Sequence, residues 1–200
     1  MSAATIILAS GSPIRRDILK GAGIKFSVCK PSVDESALKK RALKDGVQVP
    51  EIALMLAQAK AEAVDAGPND IIIGADQIME MDGQIFDKPK TMAEAKSRLW
   101  MMRANTHRLI GGLVCLNKKT GLIWTHKSVT SLMMRGFSEQ FLDDYLKREG
   151  EDILYTVGAY KFEGRGAQLF TDVKGDFFSV LGLSLLPLLG HLRDIGAIDK

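Results

Sequence analysis

Residues 8–16 read Leu-Ala-Ser-Gly-Ser-Pro-Ile-Arg-Arg, directly after the apolar run Thr5-Ile6-Ile7-Leu8. A strand that ends in Ser10-Gly11-Ser12-Pro13 and opens a helix bearing Arg15 and Arg16 gathers hydroxyls, backbone N–H groups and guanidinium groups in a small volume. That chemistry suits an anion, most naturally a phosphate. The spacing is neither Gly-x-x-x-x-Gly-Lys-Ser/Thr nor Gly-x-Gly-x-x-Gly, which excludes a Walker loop and a dinucleotide fingerprint at this place. A helix started by Ser12 and Pro13, with its arginines in water, is the structural alternative.

Other segments carry groups of the same kind. Ile71-Ile72-Ile73 runs into Gly74-Ala75-Asp76-Gln77, which delivers a carboxylate and an amide at the end of a buried strand, a usual place for active-site groups in α/β folds. Asp34-Glu35 and Asp87-Lys88-Pro89 place charged pairs in loops, and Lys60 borders the apolar face of a helix. Taken singly, each acid also reads as a turn-capping carboxylate and Lys60 as a lysine whose stem lies along the surface. His107, His126 and His191 share no ligand spacing, and Cys29 and Cys115 sit in apolar surroundings without a Cys-x-x-Cys pattern, so they read as buried free thiols rather than zinc ligands.

The elements that must position these groups alternate early in the chain. A strand over Thr5–Ala9, a helix over Pro13–Ala22 closed by Gly23 and a short strand near Phe26–Cys29 come first. Pro50 opens a helix to about Ala66 with Ile52, Met55, Leu56, Ala59 and Ala63 on its apolar face, and Gly67-Pro68 stops it. A strand over Asp70–Ala75, a turn at Met81-Asp82-Gly83 and a helix over Met92–Arg103 follow. Thr106–Leu116 and Leu122–Met134 read as a long antiparallel hairpin, Ser138 caps a helix to about Arg148, Val157–Phe170 reads as strand, and Ser184 caps a last helix beginning near Leu185. The pattern predicts an α/β protein with a mixed, twisted sheet flanked by helices, as one domain over 1–200 in two lobes around a cleft.

Composition narrows the function classes. With 27 basic and 24 acidic residues the net charge is +3, too balanced for a nucleic-acid surface, and no basic run is interleaved with aromatics. The longest apolar stretch, Val180–Leu189, is too short to span a bilayer and the start of the chain lacks a signal pattern, so a cytoplasmic protein without a membrane partner is expected.

Six ordered motifs resemble one family. Ala-Ser-x-Ser-Pro-x-Arg-Arg, Val33-Asp34-Glu35, Ala59-Lys60-Ala61, Gly74-Ala75-Asp76-Gln77, Asp82-Gly83 with Lys88-Pro89, and Gly158-Ala159-Tyr160 through Glu163-Gly164 are similar to the Maf-family nucleoside triphosphate pyrophosphatases. The likeness extends from about Ile6 to Leu192 and ends in Gly175-Asp176-Phe177-Phe178-Ser179-Val180-Leu181-Gly182-Leu183.

The resemblance implies hydrolysis of a nucleoside triphosphate between its α and β phosphates, assisted by Mg²⁺ or Mn²⁺, in a homodimer. It implies Arg15, Ser10, Ser12, Lys60 and Lys88 as phosphate-binding residues, with Arg15 binding bidentately, Glu35 as the first metal ligand, and Asp76 either as proton acceptor or chiefly as a second metal ligand, both roles requiring it ionised. Three positions bear on the base: Ile14, Gln77 and Glu163. Members preferring dTTP and UTP usually place Arg, Thr and Gln there, and the 7-methyl-GTP branch resembles Trp, Gln and Glu. Gln77 and Glu163 therefore point to 7-methyl-GTP, while Ile14 departs from both patterns. The carboxylate of Glu163 accepts hydrogen bonds only, which suits the N–H donors of guanine and repels uracil carbonyls. The competing expectations are a dTTP/UTP pyrophosphatase and a non-catalytic nucleotide sensor acting in cell division; an RNA-binding module finds no stacking platform.

Overall fold

The computed structural model describes residues 5–121 and 123–199. Its elements are β1 (Ile6–Ala9), α1 (Pro13–Gly21), β2 (Ser27–Cys29), α2 (Glu35–Lys44), α3 (Val49–Glu62), β3 (Ile71–Met81), β4 (Gln84–Phe86), α4 (Met92–Met102), β5 (Thr106–Asn117), β6 (Ile123–Met134), α5 (Glu139–Glu149), β7 (Phe170–Lys174), α6 (Phe177–Val180) and α7 (Leu185–Asp194). The sheet has seven strands in the order β2-β1-β3-β5-β6-β7, with β4 pairing β3. β1 is parallel to β2 and β3, whereas β4 on β3 and β7 on β6 are antiparallel, so the sheet is mixed as expected.

The chain forms two compact units. The first comprises the described residues of Met1–Gln77, Ile110–Ser128 and Phe177–Lys200; the second comprises Ile78–Leu109 and Val129–Asp176. In the first unit strand parity separates two apolar layers. Ile6, Leu8, Ile71, Ile73 and Ala75 pack with Ile18 and Leu19 of α1 and Leu188 and Leu192 of α7, while Ile7, Ala9 and Ile72 pack with Ala57 and Ala61 of α3. Side chains on β3 therefore alternate between a face toward α1 and α7 and a face toward α3.

In the second unit β3 turns into β4 through Asp82 and Gly83, both at positive φ (52° and 79°), the signature of a type I′ hairpin. The buried Glu80 carboxylate fixes that turn, accepting from Gly83 N at 2.6 Å and from Arg108 Nε at 2.5 Å. Burial alone would raise the Glu80 pKa, but the hydrogen bonds from Arg108 and Gly83 outweigh it and hold the group below its usual value.

Several elements differ from the sequence-based expectations. Asp34 and Glu35 are not in a loop: Asp34 is the N-cap of α2, accepting from Ala37 N at 2.9 Å, and Glu35 is its first residue. α3 ends at Glu62, earlier than Ala66, and Met55 on it is exposed. β3 does not end at Ala75 but continues to Met81. Of the expected strand over Val157–Phe170 only Phe170, the first residue of β7, is strand; the rest consists of turns and a 3₁₀ segment over Arg165–Leu169, because its glycines hold backbone in close approach, as at Gly166, where a Cβ would lie 2.3 Å from the Lys161 carbonyl oxygen. Ser184 occupies the N-cap of α7 without capping it, and its Oγ pairs instead with Ser179 Oγ at 2.8 Å. Cys115 is buried but Cys29 is only half-buried. Leu122, the expected first residue of the second hairpin strand, lies outside the described residues.

His107 generates a pH prediction. Its ring is fully buried, with Nε2 2.7 Å from Tyr160 Oη, and burial lowers its pKa to about 4. The folded protein keeps the ring neutral while the unfolded chain takes up a proton below 6.5, so this contribution is intact above 6.5 and is lost as pH falls toward 4. The loss amounts to about 3 kcal/mol at most. Thermal unfolding of the wild type should weaken more steeply over that interval than that of His107→Gln; parallel curves would show that His107 is not held neutral.

Candidate active site

The site grows from the parity of β3. Ile72 lies on the α3 face, so Gly74 and Asp76 do too. At Gly74 the helix backbone comes so near that an added Cβ would sit 2.1 Å from the Ala57 carbonyl oxygen, and at Gly112 on β5 one would sit 2.3 Å from that of Ala53. These two glycines let α3 lie directly on the strands. Lys60, three residues beyond Ala57 on α3, then meets Asp76, two residues beyond Gly74: Nζ is 2.5 Å from Oδ1. Both side chains are buried, at 6% and 7% exposure. Glu35, at the start of α2, brings Oε2 to 2.9 Å from the same Nζ. One buried ammonium thus holds two carboxylates.

Ser10 and Arg15 belong to the same cluster. Buried Ser10 Oγ accepts from Ser12 N at 3.1 Å and from Arg15 Nη1 at 3.4 Å, which leaves its own hydroxyl hydrogen to donate elsewhere. Arg15 donates from Nη1 to Ala75 O at 2.9 Å and from Nε to Gly182 O at 2.8 Å. Burial pushes the Arg15 pKa down and the charges of Asp76 and Glu35 push back; a guanidinium in a protein stays charged at physiological pH. The expected bidentate grip on phosphate is altered by this geometry. Nε and Nη1 face protein oxygens, so Nη2 and the charge are what Arg15 offers an anion. Ser12 is the N-cap of α1 and makes no side-chain cap bond.

Gln77, next to Asp76, falls on the opposite face of β3. Its amide nitrogen donates to Ser179 O at 2.8 Å and Val180 O at 3.2 Å, binding α6 to the strand. Ile14 is half-buried and packs against the α1 and α7 layer. The Ser179–Gly182 segment, part of the stretch that ends the family likeness, is the part of the site to which motif reading assigned no role. Its signal was Gly182, at φ +97°, where an added Cβ would lie 3.6 Å from both Arg15 Nη2 and Gln77 Oε1. Lys88 and Glu163 lie in the second unit. Lys88 is in the loop after β4, and Glu163 is exposed in the turn before the 3₁₀ segment. Lys161, a neighbour able to neutralise Glu163, is paired with Asp152 at 2.9 Å instead.

Among the described residues no group of three or more His, Cys, Asp or Glu side chains gathers, so there is no all-protein cage. Asp76 Oδ1 and Glu35 Oε2 converge on the Lys60 ammonium, and carboxylate oxygens are the donor type that Mg²⁺ or Mn²⁺ takes together with phosphate oxygens and water. Asp76 and Glu35 are the residues that would hold it.

A model of the Maf-like protein family matches residues 5–195. The chain belongs to the Maf family. Its relatives include a 7-methyl-GTP pyrophosphatase of Rhizobium etli, 42% identical over 97% of this chain and 98% of the relative. A nucleoside triphosphate pyrophosphatase of Maricaulis maris is 44% identical over the same shares, and a second 7-methyl-GTP pyrophosphatase, from Rhizobium meliloti, is 40% identical. No helix among the described residues is long and apolar enough to cross a membrane.

In this Maf protein Gly74 tests the site's construction. Gly74→Ala must push α3 off the sheet, because the added carbon meets backbone rather than a flexible side chain. Overpacking of this kind costs about 1–3 kcal/mol, a Tm loss of roughly 5 °C or more, and the displaced Lys60 should lower kcat/KM at least about tenfold. A variant with native Tm and native turnover would contradict the close approach.

Proposed function

We propose that this Maf protein hydrolyses a nucleoside triphosphate to the monophosphate and pyrophosphate. The observation that carries the reading is the Asp76–Lys60–Glu35 cluster beside Arg15 and Ser10, which pairs groups able to act on water with groups able to hold a highly charged anion. The names of its relatives support the same reaction class.

Arg15 Nη2, the hydroxyls of Ser10 and Ser12, and Lys60 bind and orient the phosphate chain, and Lys88 is the phosphate-binding residue that the family resemblance assigns to the second unit. Asp76 is engaged through Oδ1, so Oδ2 is the atom that accepts the proton of the attacking water at the α-phosphorus. Glu35 neutralises part of the Lys60 charge and keeps that ammonium placed when Asp76 takes up the proton. A divalent ion held by Asp76 and Glu35 would supply further charge stabilisation to the phosphate oxygens as pyrophosphate leaves. Proton acceptance of this kind is typically worth about 10²–10⁴ in rate, with cationic stabilisation of the phosphates carrying more.

For the base, the reading is a 7-methylguanine nucleotide selected by Glu163. An exposed carboxylate free to accept the guanine N–H donors, and attracted to the cationic methylated ring, supports this choice. Gln77, expected to bear on the base, has its amide nitrogen engaged by the carbonyls of Ser179 and Val180. Two of the named relatives carry the 7-methyl-GTP activity in their names.

A hydrolysis panel of 7-methyl-GTP, GTP, UTP and dTTP with Mg²⁺ and Mn²⁺, with products analysed, tests the proposal. Pyrophosphate and monophosphate are expected, with the highest kcat/KM for 7-methyl-GTP. Glu163→Gln should shrink the ratio over UTP by about tenfold or more, since the amide donates to a pyrimidine carbonyl. Orthophosphate and diphosphate as products would refute the reaction, binding without turnover would make the protein a sensor, and an unchanged ratio would remove Glu163 from base selection.

A further inference from the structure

Arg98 is buried at 7% exposure in the second unit, a costly place for a guanidinium unless it is fully used. Its Nη1 donates to Asp87 O and, at 2.7 Å, to Val157 O; its Nη2 meets Glu94 Oε1 at 2.9 Å; and its plane lies over the Phe86 ring, 5.5 Å from the centroid. Glu94, four residues earlier on α4, accepts from Lys90 N through its other oxygen at 2.8 Å. The Arg98–Glu94 pair therefore grips the residue before Lys88 by its carbonyl and the residue two after it by its amide. Between these grips Pro89 fixes its own φ and restricts Lys88 to extended backbone.

The same guanidinium fixes a second segment. Val157 precedes Gly158 and Ala159, and Ala159 stands at φ 58°, a left-handed conformation uncommon for a residue with a Cβ. That turn is held further by Thr156, whose carbonyl accepts from Ala159 N at 3.3 Å and whose hydroxyl accepts from Tyr160 N at 3.1 Å. It leads into Tyr160 and on to Glu163.

We propose that Arg98, braced by Glu94, is a positioning residue that presents Lys88 to the triphosphate. The proposal rests on the reading of Lys88 as a phosphate-binding residue. Lysine cannot replace Arg98, because the planar fork serves two carbonyls and a carboxylate at once and an ammonium lacks that geometry. If Arg98 served packing alone, its loss would weaken the fold without regard to what Lys88 does.

A double-mutant cycle in kcat/KM for the triphosphate separates the two cases. Lys88→Ala alone tests the phosphate reading and should lower kcat/KM by about tenfold or more. Arg98→Lys should raise KM by about tenfold with a smaller change in kcat when Lys88 is present, yet change kcat/KM by less than about twofold in the Lys88→Ala background. Its effect on Tm should be equal in both backgrounds. Should Arg98→Lys fail to fold, Glu94→Gln carries the same cycle, because the amide keeps one acceptor oxygen where the carboxylate serves Arg98 and Lys90 N with two. Equal losses of kcat/KM in both backgrounds would overturn the positioning role, and a Lys88→Ala variant with native kcat/KM would overturn the phosphate reading beneath it.

Discussion

The candidate site depends on one buried ammonium shared by two carboxylates. Removing Lys60 from water is costly, and a buried pair stripped of one member typically loses about 3–5 kcal/mol because the remaining charge is left uncompensated. Here the compensation is doubled. Asp76 is buried with Lys60, while Glu35 arrives from the first residue of α2 with its side chain half in solvent. Such a pair is weak as a stabilising device compared with apolar packing, and its retention makes sense where the charges are needed for chemistry.

Everything that lets Lys60 reach Asp76 is set by backbone proximity. Gly74 and Gly112 remove the side chains that would keep α3 at ordinary distance from the sheet, and strand parity puts Gly74 and Asp76 on the face that α3 covers. The same parity sends Gln77 to the other face, where it secures α6, and turns Arg15 toward the carbonyls of Ala75 and Gly182. Adjacent residues of one motif thus take different tasks: Asp76 faces the charge cluster, and Gln77 supports the segment on which the cluster's arginine leans.

Much of this was legible in the residues. The Ser10–Arg16 stretch announced the strand-to-helix turn that carries Ser10 and Arg15, the apolar run before Gly74 announced the strand, and helical spacing put Lys60 at the margin of the buried face. The continuation of β3 to Met81 was not legible, since Asp76, Gln77 and Glu80 interrupt the apolar pattern and their burial depends on partners distant in sequence. The helix from Glu35 was hidden because its apolar face is narrow, with Ala42 its sole buried residue. Val157–Phe170 misled because its aromatics and glycines imitate strand composition while its local carbonyl contacts impose turns. The contribution of Gly182 is a long-range hydrogen bond to Arg15, which no local pattern encodes.

The central claim is that Asp76 takes the proton of a water that attacks the α-phosphorus. Single-turnover hydrolysis in ¹⁸O-enriched water, comparing wild type with Asp76→Asn, addresses it directly. The account predicts label in the nucleoside monophosphate and a chemical step slowed at least about a hundredfold in the variant, whose fold is retained because Glu35 still neutralises Lys60. Label in the pyrophosphate, or a folded Asp76→Asn enzyme with an undiminished chemical step, would contradict it.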